Sequence, residues 1–470
     1  MEANHQHKRI QKMKKSLLMT VLVAVISTSI VFAQEAKKTI TLQDAIELAL
    51  KNNYQLKTAK NNLDLAEYRI TSEMADFLPS ISSSIGYSAQ TGQQFVQEQL
   101  AFTDVTSSSA SGRISANIPI FNGFSNILTL RSSKASRLSS EESLNRIKEN
   151  VIFEAATRYL QVLLNTQLLE DAIDNLETSQ KVLEQTKAQV EVGSRPSVDL
   201  YNQEATVANN EFTVTQRENS LKLSKLQLVR SLQIDPLGEY EFIVPNFDPA
   251  SAQASAMAGY NIRDLIDEAL ISRSDLKSTE FNIQSLKYSL DIAKGSLLPT
   301  ISGSATLSSS YSDQARDPLT GGDATFNDQF FDQRVNKSIG LSLSLPIFSN
   351  WNRMTQIQSA KVSLKNAELG LENSTLQIIQ EVTQAFNDYS SYASQLTAAG
   401  KSLVAAEKAF ETQQERYNVG ASTLIELSQS QTQFFNAQSS KTSAMYNLIF
   451  QEKLLDYYLG KLNKTDVSFN

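Results

Sequence analysis

Val192-Gly193-Ser194-Arg195-Pro196-Ser197-Val198-Asp199-Leu200 and Val419-Gly420-Ala421-Ser422-Thr423-Leu424-Ile425-Glu426-Leu427 follow one local plan, and the second copy comes 227 residues after the first (192 to 419). Each lies between long helix-forming runs. Gly just past a helix end takes the left-handed conformation a C-cap needs, and Ser197 or Ser422 is placed to accept a backbone N–H where the next helix starts. One such break is an ordinary loop. Two in matching context predict two helical hairpin tips in a duplicated chain.

Outward from the tips, no Pro interrupts 125–192 or 352–419, and apolar residues recur at gaps of three and four. One row is Ile379, Val382, Phe386, Tyr389, Ala393, Leu396, Ala399, Leu403, Ala406 and Phe410. That spacing predicts coiled-coil packing, and about 65 residues of helix make a rod on the order of 100 Å long. Returning helices are predicted from Ser197 to about Leu232 and from Ser422 to about Leu459.

At the far ends of the rods the period changes to two. Ile81, Ile85, Tyr87 and Ala89 alternate with Ser82, Ser84, Gly86 and Ser88, and Ile301, Ala305, Leu307 and Tyr311 alternate with Ser302, Ser304, Thr306 and Ser308. Returning strands carry Ile114, Ala116 and Ile118 in the first half and Ile339, Leu341 and Leu343 in the second. Pro79 and Pro299 open the pairs. Pro119 with Phe121, and Pro346 with Phe348 and Trp351, close them. Such alternation describes strands with one apolar and one polar face. The polar stretches Gln90–Ser111 and Ser312–Gln333 are expected to be exposed loops.

The division expected is a signal peptide at 1–33, a first repeat at 34–233 (strand pair about 79–120, tip 192–200), a linker at 234–260, a second repeat at 261–460 (strand pair about 299–346, tip 419–427) and a tail at 461–470. The leader reading rests on Lys8, Arg9, Lys12, Lys14 and Lys15 ahead of an apolar run from Leu17 to Phe32 and a small-residue exit at Ala33. His5 and His7, the two histidines of the chain, fall within it.

Among 470 residues there is no Cys, which excludes disulfides, thiolate metal sites and Cys nucleophiles. The net charge of −7 gives no basic footprint for nucleic acid. No Gly-rich phosphate loop or metal constellation is present, so neither an enzyme nor a cofactor is expected. A Ser-rich face opposite an apolar one suits a barrel wall, wet inside and lipid outside. Lipid does not tolerate unpaired backbone groups, so two strand pairs per chain imply a barrel shared between chains. Phe121, Phe348 and Trp351 then suit an interfacial aromatic girdle.

The duplicated plan, both Leu-Pro strand starts, both Pro-Ile-Phe strand ends and both Val-Gly tips together resemble the TolC-like outer-membrane efflux protein family. The resemblance implies a mainly α fold with β: a long helical coiled-coil barrel continuous with a transmembrane β-barrel, in a homotrimer of four strands per protomer and twelve in all. It implies an exit duct for efflux or type I secretion in the outer membrane, reaching into the periplasm. Its partners are outer-membrane lipid, a periplasmic adaptor (membrane fusion protein) and an inner-membrane RND, ABC or MFS-type pump. Docking is implied at Val192, Gly193, Ser194, Arg195, Ser197, Val419, Gly420, Ala421, Ser422 and Thr423. Carried over by position, Arg195 and Asp199 are gate or latch residues, Glu426 is an acidic ring residue, and Gln429 stands where a second acid is expected. The alternative is a periplasmic coiled-coil adaptor or structural protein without its own channel.

Overall fold

The structure, a computed structural model, describes residues 38–96, 100–243, 261–316, 322 and 324–462. The expected leader, residues 244–260 of the linker and residues 463–470 of the tail lie outside the described residues. In the first half, β1 (Lys38–Ile40), α1 (Leu42–Asn52) and α2 (Tyr54–Ala75) lead to β2 (Ser80–Val96), β3 (Ala101–Asn122), α3 (Ser125–Glu191), α4 (Ser197–Leu232) and β4 (Tyr240–Phe242). In the second, α5 (Ile262–Ser272) and α6 (Ser274–Gly295) lead to β5 (Thr300–Ser312), a π-helix (Asp328–Gln333), β6 (Asn336–Ser344), α7 (Asn352–Asn418) and α8 (Leu424–Tyr458). The protein is mainly helical with some sheet.

Both α3 and α7 run for 67 residues, about 100 Å of helix. The expected apolar row of α7 is buried at Val382, Tyr389, Ala393, Leu396 and Phe410. At its start the buried positions are Ile378 and Ala385 rather than Ile379 and Phe386. A helix of 3.6 residues per turn drifts against a 3.5 repeat, and the contact line shifts by one position over such a length.

The four-stranded sheet has the order β2-β3-β5-β6, antiparallel throughout. Its register aligns whole rows: Ile81, Ala116, Ala305 and Ile339 on one face, and Ser82, Ser115, Thr306 and Ser338 on the other. Residues directly opposite share a face, so the sheet has an apolar side and a hydroxyl side. The hydroxyls bond across strands, as in Ser82 with Ser115 at 2.9 Å, Ser88 with Ser109 at 2.8 Å and Ser302 with Ser342 at 2.7 Å. Both faces are open: Ile85 and Ile339 on the apolar face are 90% and 92% exposed, and Ser82 and Ser338 on the hydroxyl face are exposed too. Among the described residues, β2 and β6 each have one edge without a strand partner.

The expected loop at Gln90–Ser111 is corrected. β2 and β3 stay paired as far as Val96 opposite Ala101. Cross-strand pairs hold this polar arm: Thr91 and Thr106 hydroxyls lie 3.0 Å apart, and the Phe95 and Phe102 rings meet edge to face at 5.4 Å. Within Ser312–Gln333 the chain is not all loop either, since it forms the π-helix. The linker also does more than connect, because β4 pairs in parallel with β1. The Tyr159 hydroxyl donates to the carbonyls of Ile40 (3.0 Å) and Ile243 (2.6 Å) beside them.

Two cores flank α8. One gathers Ile46, Ile152, Tyr159, Leu232 and Ile449, and the other Leu265, Val382, Tyr389, Leu448 and Leu455. At the α5–α6 corner Arg273 bonds Asp275 through Nη2 (2.6 Å) and Nε (3.1 Å), and Glu381 through Nη1 (2.7 Å). Arg146 joins from α3, 3.6 Å from Asp275 and 2.8 Å from Glu149, with its guanidinium 4.1 Å above the Tyr457 ring.

Candidate functional site

The strand ends that join the helices are shaped by the prolines. Pro79 and Pro299 stand one residue before β2 and β5, and Pro346 follows β6 by two residues. Pro119 lies within β3, where a bulge shifts the register between Pro119 and Phe121; a bulge is a place where a strand tolerates the missing N–H. Strand then turns into helix through two consecutive left-handed residues, Gly123-Phe124 in the first half and Asn350-Trp351 in the second. Phe348 and Trp351 are exposed, as is Phe124, which meets Phe121 edge to face at 5.2 Å.

About 100 Å along the helices are the tips. Gly193 and Gly420 have φ of +75° and +78°. Each is followed by the bond that closes a helix end: Ser194 N–H to Gln189 O at 2.9 Å, and Ala421 N–H to Arg416 O at 2.8 Å. The serines do not cap the restarts as expected. Pro196 is the N-cap of α4 and makes no side-chain cap bond, so Ser197 is already helical. In the second tip the N-cap is Thr423, whose side chain accepts Glu426 N–H at 3.3 Å while Glu426 Oε2 accepts Thr423 N–H at 3.2 Å. This is a capping box, and a Thr-x-x-Glu spelling announces one in sequence.

The structure brings Arg195, Asp199 and Ser422 together and adds Tyr417. The Arg195 guanidinium lies 4.1 Å above the Tyr417 ring and donates to the carbonyls of Tyr417 (3.2 Å) and Ser422 (3.3 Å), with Asp199 at 3.8 Å. Tyr417 is fully buried and its hydroxyl is 3.0 Å from that of Thr186. Val182, Phe410, Leu424 and Leu427 complete a small core that joins the two hairpins. Tyr417 and Thr186 escaped the sequence reading because each lies on a different rod and nothing local couples them; Tyr417, three residues before the tip Gly, was the available signal.

Ser422 also bonds on its other side. Its hydroxyl donates to Glu426 Oε2 at 2.9 Å, and Gln413 donates to the same oxygen at 3.1 Å. The Thr423 N–H and then the Ser422 hydroxyl hold the Glu426 carboxyl below the usual range. Gln429 lies further along α8, in an open cleft shared with Asn202 and Gln203 of α4. Around the cluster the surface is apolar: Val192 and Val419 are both 79% exposed, and Val198, Tyr201 and Ile425 are also exposed.

Arg195→Ala is expected to uncouple the tips. It removes a stacked cation and bonds to two carbonyls, about 1–3 kcal/mol of coupling between hairpins. Hydrogen exchange at 186–200 and 412–427 should speed up roughly tenfold or more while β2–β6 stay protected. Unchanged exchange at Tyr417–Ser422 would remove Arg195 from this role. Lys in its place should recover little, because an ammonium does not reproduce the planar fork.

A sequence model of a family described as outer membrane efflux protein matches residues 45–232 and 265–461. Among characterised proteins, the chain is 22% identical to the outer membrane efflux protein BepC of Brucella suis over 349 residues, 73% of this chain and 68% of that one. It is 23% identical to the outer membrane protein TolC of Escherichia coli over 432 residues, 91% of this chain and 83% of that one. Among solved structures, the fold is similar to the outer-membrane channel OprN (TM-score 0.72, 19% identity, covering 89% of this chain and 90% of that one). It is also similar to CusC, at a TM-score of 0.77 with 16% identity, covering 92% of this chain and 95% of that one.

Proposed function

This chain belongs to the outer membrane efflux protein family, and from that premise we propose that it is the outer-membrane exit duct of a tripartite export system, a passive conduit reaching into the periplasm. The observation that carries this reading is the sheet: one apolar face, one hydroxyl face and, among the described residues, two edges without a strand partner, continuous with two helices of 67 residues. Lipid leaves no backbone edge unpaired, so β6 of one copy pairs with β2 of the next. Three copies give a twelve-stranded barrel with its hydroxyl rows facing water. Residues 34–233 and 261–460 act as two repeats of one structural unit. An adaptor without its own channel has no use for such a wall, which sets that alternative aside.

The tips receive the adaptor. Val192, Val419, Val198 and Ile425 supply exposed apolar contact, while Gly193 and Gly420 have open space where a side chain would stand. Arg195, Asp199 and Ser422 act as the latch between hairpins, and Glu426 and Gln429 line the approach to the entrance. Opening follows when the adaptor competes for the Arg195 contacts. Energy comes from an inner-membrane pump.

Gly193→Trp with Gly420→Trp tests this. A side chain at these φ values costs on the order of 1–2 kcal/mol per site, too little to dissolve the barrel. The expected result is a heat-modifiable trimer at normal level in the outer membrane, planar-bilayer currents close to wild type, and export as low as in a deletion strain. Normal export by this variant would overturn tip docking. Absence of currents from the wild-type protein would overturn the duct itself.

A further inference from the structure

A groove of about 430 Å³ runs along the apolar face of the sheet, with Ile85, Ile114 and Leu307 as its floor and Phe330, Phe331 and Val335 as its roof. The roof is the π-helix, and it is fastened to the wall. Gln329, fully buried, accepts Ser312 N–H at 3.0 Å and donates to the carbonyls of Ser312 (3.0 Å) and Ala324 (2.8 Å). The Ser309 hydroxyl donates to Phe330 O. A Cβ on Gly112 would come within 2.8 Å of the Phe330 ring, so a bare backbone lets that ring lie on the strand. Tyr311, Phe326 and Phe330 continue the cluster with ring centroids 5.1 Å apart.

The groove lies at the end of the sheet away from the helices. From Thr300 to Ser309 there are nine steps along β5; at about 3.3 Å per step and a tilt of about 40° they span roughly 23 Å, close to the ~25 Å apolar band of outer-membrane barrels. Phe124 and Trp351 mark the opposite boundary. The register places Ser83, Ile114, Leu307 and Lys337 in one row across the four strands, so Lys337 stands one strand beyond the floor of the groove. Lys337 and Arg334 are exposed and make no ion pair among the described residues. Of the acids on the π-helix, Asp328 accepts the Thr325 hydroxyl at 2.6 Å, and Asp332 is exposed.

We propose that this groove seats an acyl chain of an anionic membrane amphiphile, with its phosphate held by Lys337 and Arg334. The proposal rests on the apolar face being the lipid face of the duct. It is tested on the full-length protein, delipidated in detergent and titrated with phosphatidylglycerol or phosphatidylcholine under native mass spectrometry. One phosphatidylglycerol per chain should bind roughly tenfold or more tightly than phosphatidylcholine, as two cations near anionic lipid predict. Arg334→Gln with Lys337→Gln should abolish that preference, and Ser83→Trp, which fills the groove without altering charge, should abolish the bound lipid. Equal binding of the two lipids, undiminished binding in Ser83→Trp, or pairing of two proteins through this face would overturn the proposal. Channel currents without bound lipid would sink the groove alone, whereas failure to insert into bilayers would sink the duct reading beneath it.

Discussion

Replacing Arg273 by Met is expected to lower stability by about 3 kcal/mol at neutral pH, the low end of the ~3–5 kcal/mol for breaking a buried ion pair. The guanidinium is 5% exposed and holds Asp275 on two oxygens and Glu381 on one. The low end applies because the Asp275 carboxylate is 36% exposed and water takes over part of its solvation. Burial alone would raise the Asp275 pKa, but the bond and charge of Arg273, helped by Arg146, hold it below the usual range. A depressed carboxylate stabilises the folded state above its unfolded pKa and stops doing so as pH falls through the folded value. In the variant Asp275 loses that depression, so the gap between the two proteins should be widest near pH 7 and shrink below about pH 4. Denaturant midpoints at both pH values check this, and a gap independent of pH would mean that Arg273 acts through packing alone. Because Arg146 belongs to α3, Arg273 to the α5–α6 corner and Glu381 to α7, the loss should also loosen the two halves from one another.

Gly123→Ala should cost about 2–5 kcal/mol and sharply reduce assembled protein. Two penalties coincide: the left-handed conformation, φ +65°, and an added Cβ that would overlap the carbonyl of Gly295. The first costs on the order of 1–2 kcal/mol and the second about 1–3. Neither side can give way easily, because both partners are backbone. Gly295→Ala meets the reciprocal carbonyl of Gly123 without the φ penalty, so it should cost less. Gly193→Ala is the control: its φ is +75° but nothing lies within 4 Å of the new Cβ, leaving about 1–2 kcal/mol. Unfolding midpoints should rank Gly193→Ala as mildest and Gly123→Ala as most severe. If Gly123→Ala and Gly193→Ala proved equal, the crossing of the two backbones would not be a close contact.

How much was legible varies with the range of the cause. The strand faces were readable because Ser82 and Ile81 differ in polarity, and a period of two assigns them to opposite faces whatever their partners. The long helices were readable because no Pro breaks them. The polar arm around Thr91 and Thr106 was not, since a hydroxyl bonded across a hairpin spells the same letters as one bonded to water. At the tips, Val-Gly located both turns, yet the cap of α8 went to Thr423 rather than Ser422. Arg195 was singled out by resemblance, while Tyr417, the ring beneath it, was not.

The sequence by itself determined the alternation of rods and strands, the tip positions and the polarity of each sheet face, because all of these follow from spacing along one segment. Tertiary structure alone decided which backbones cross at Gly123 and Gly295, which carboxylates share Arg273, and which ring supports Arg195. Gly123 and Gly295, Arg273 and Glu381, and Arg195 and Tyr417 are each more than a hundred positions apart, and their meeting depends on how the long helices lie side by side, a geometry that no local period encodes.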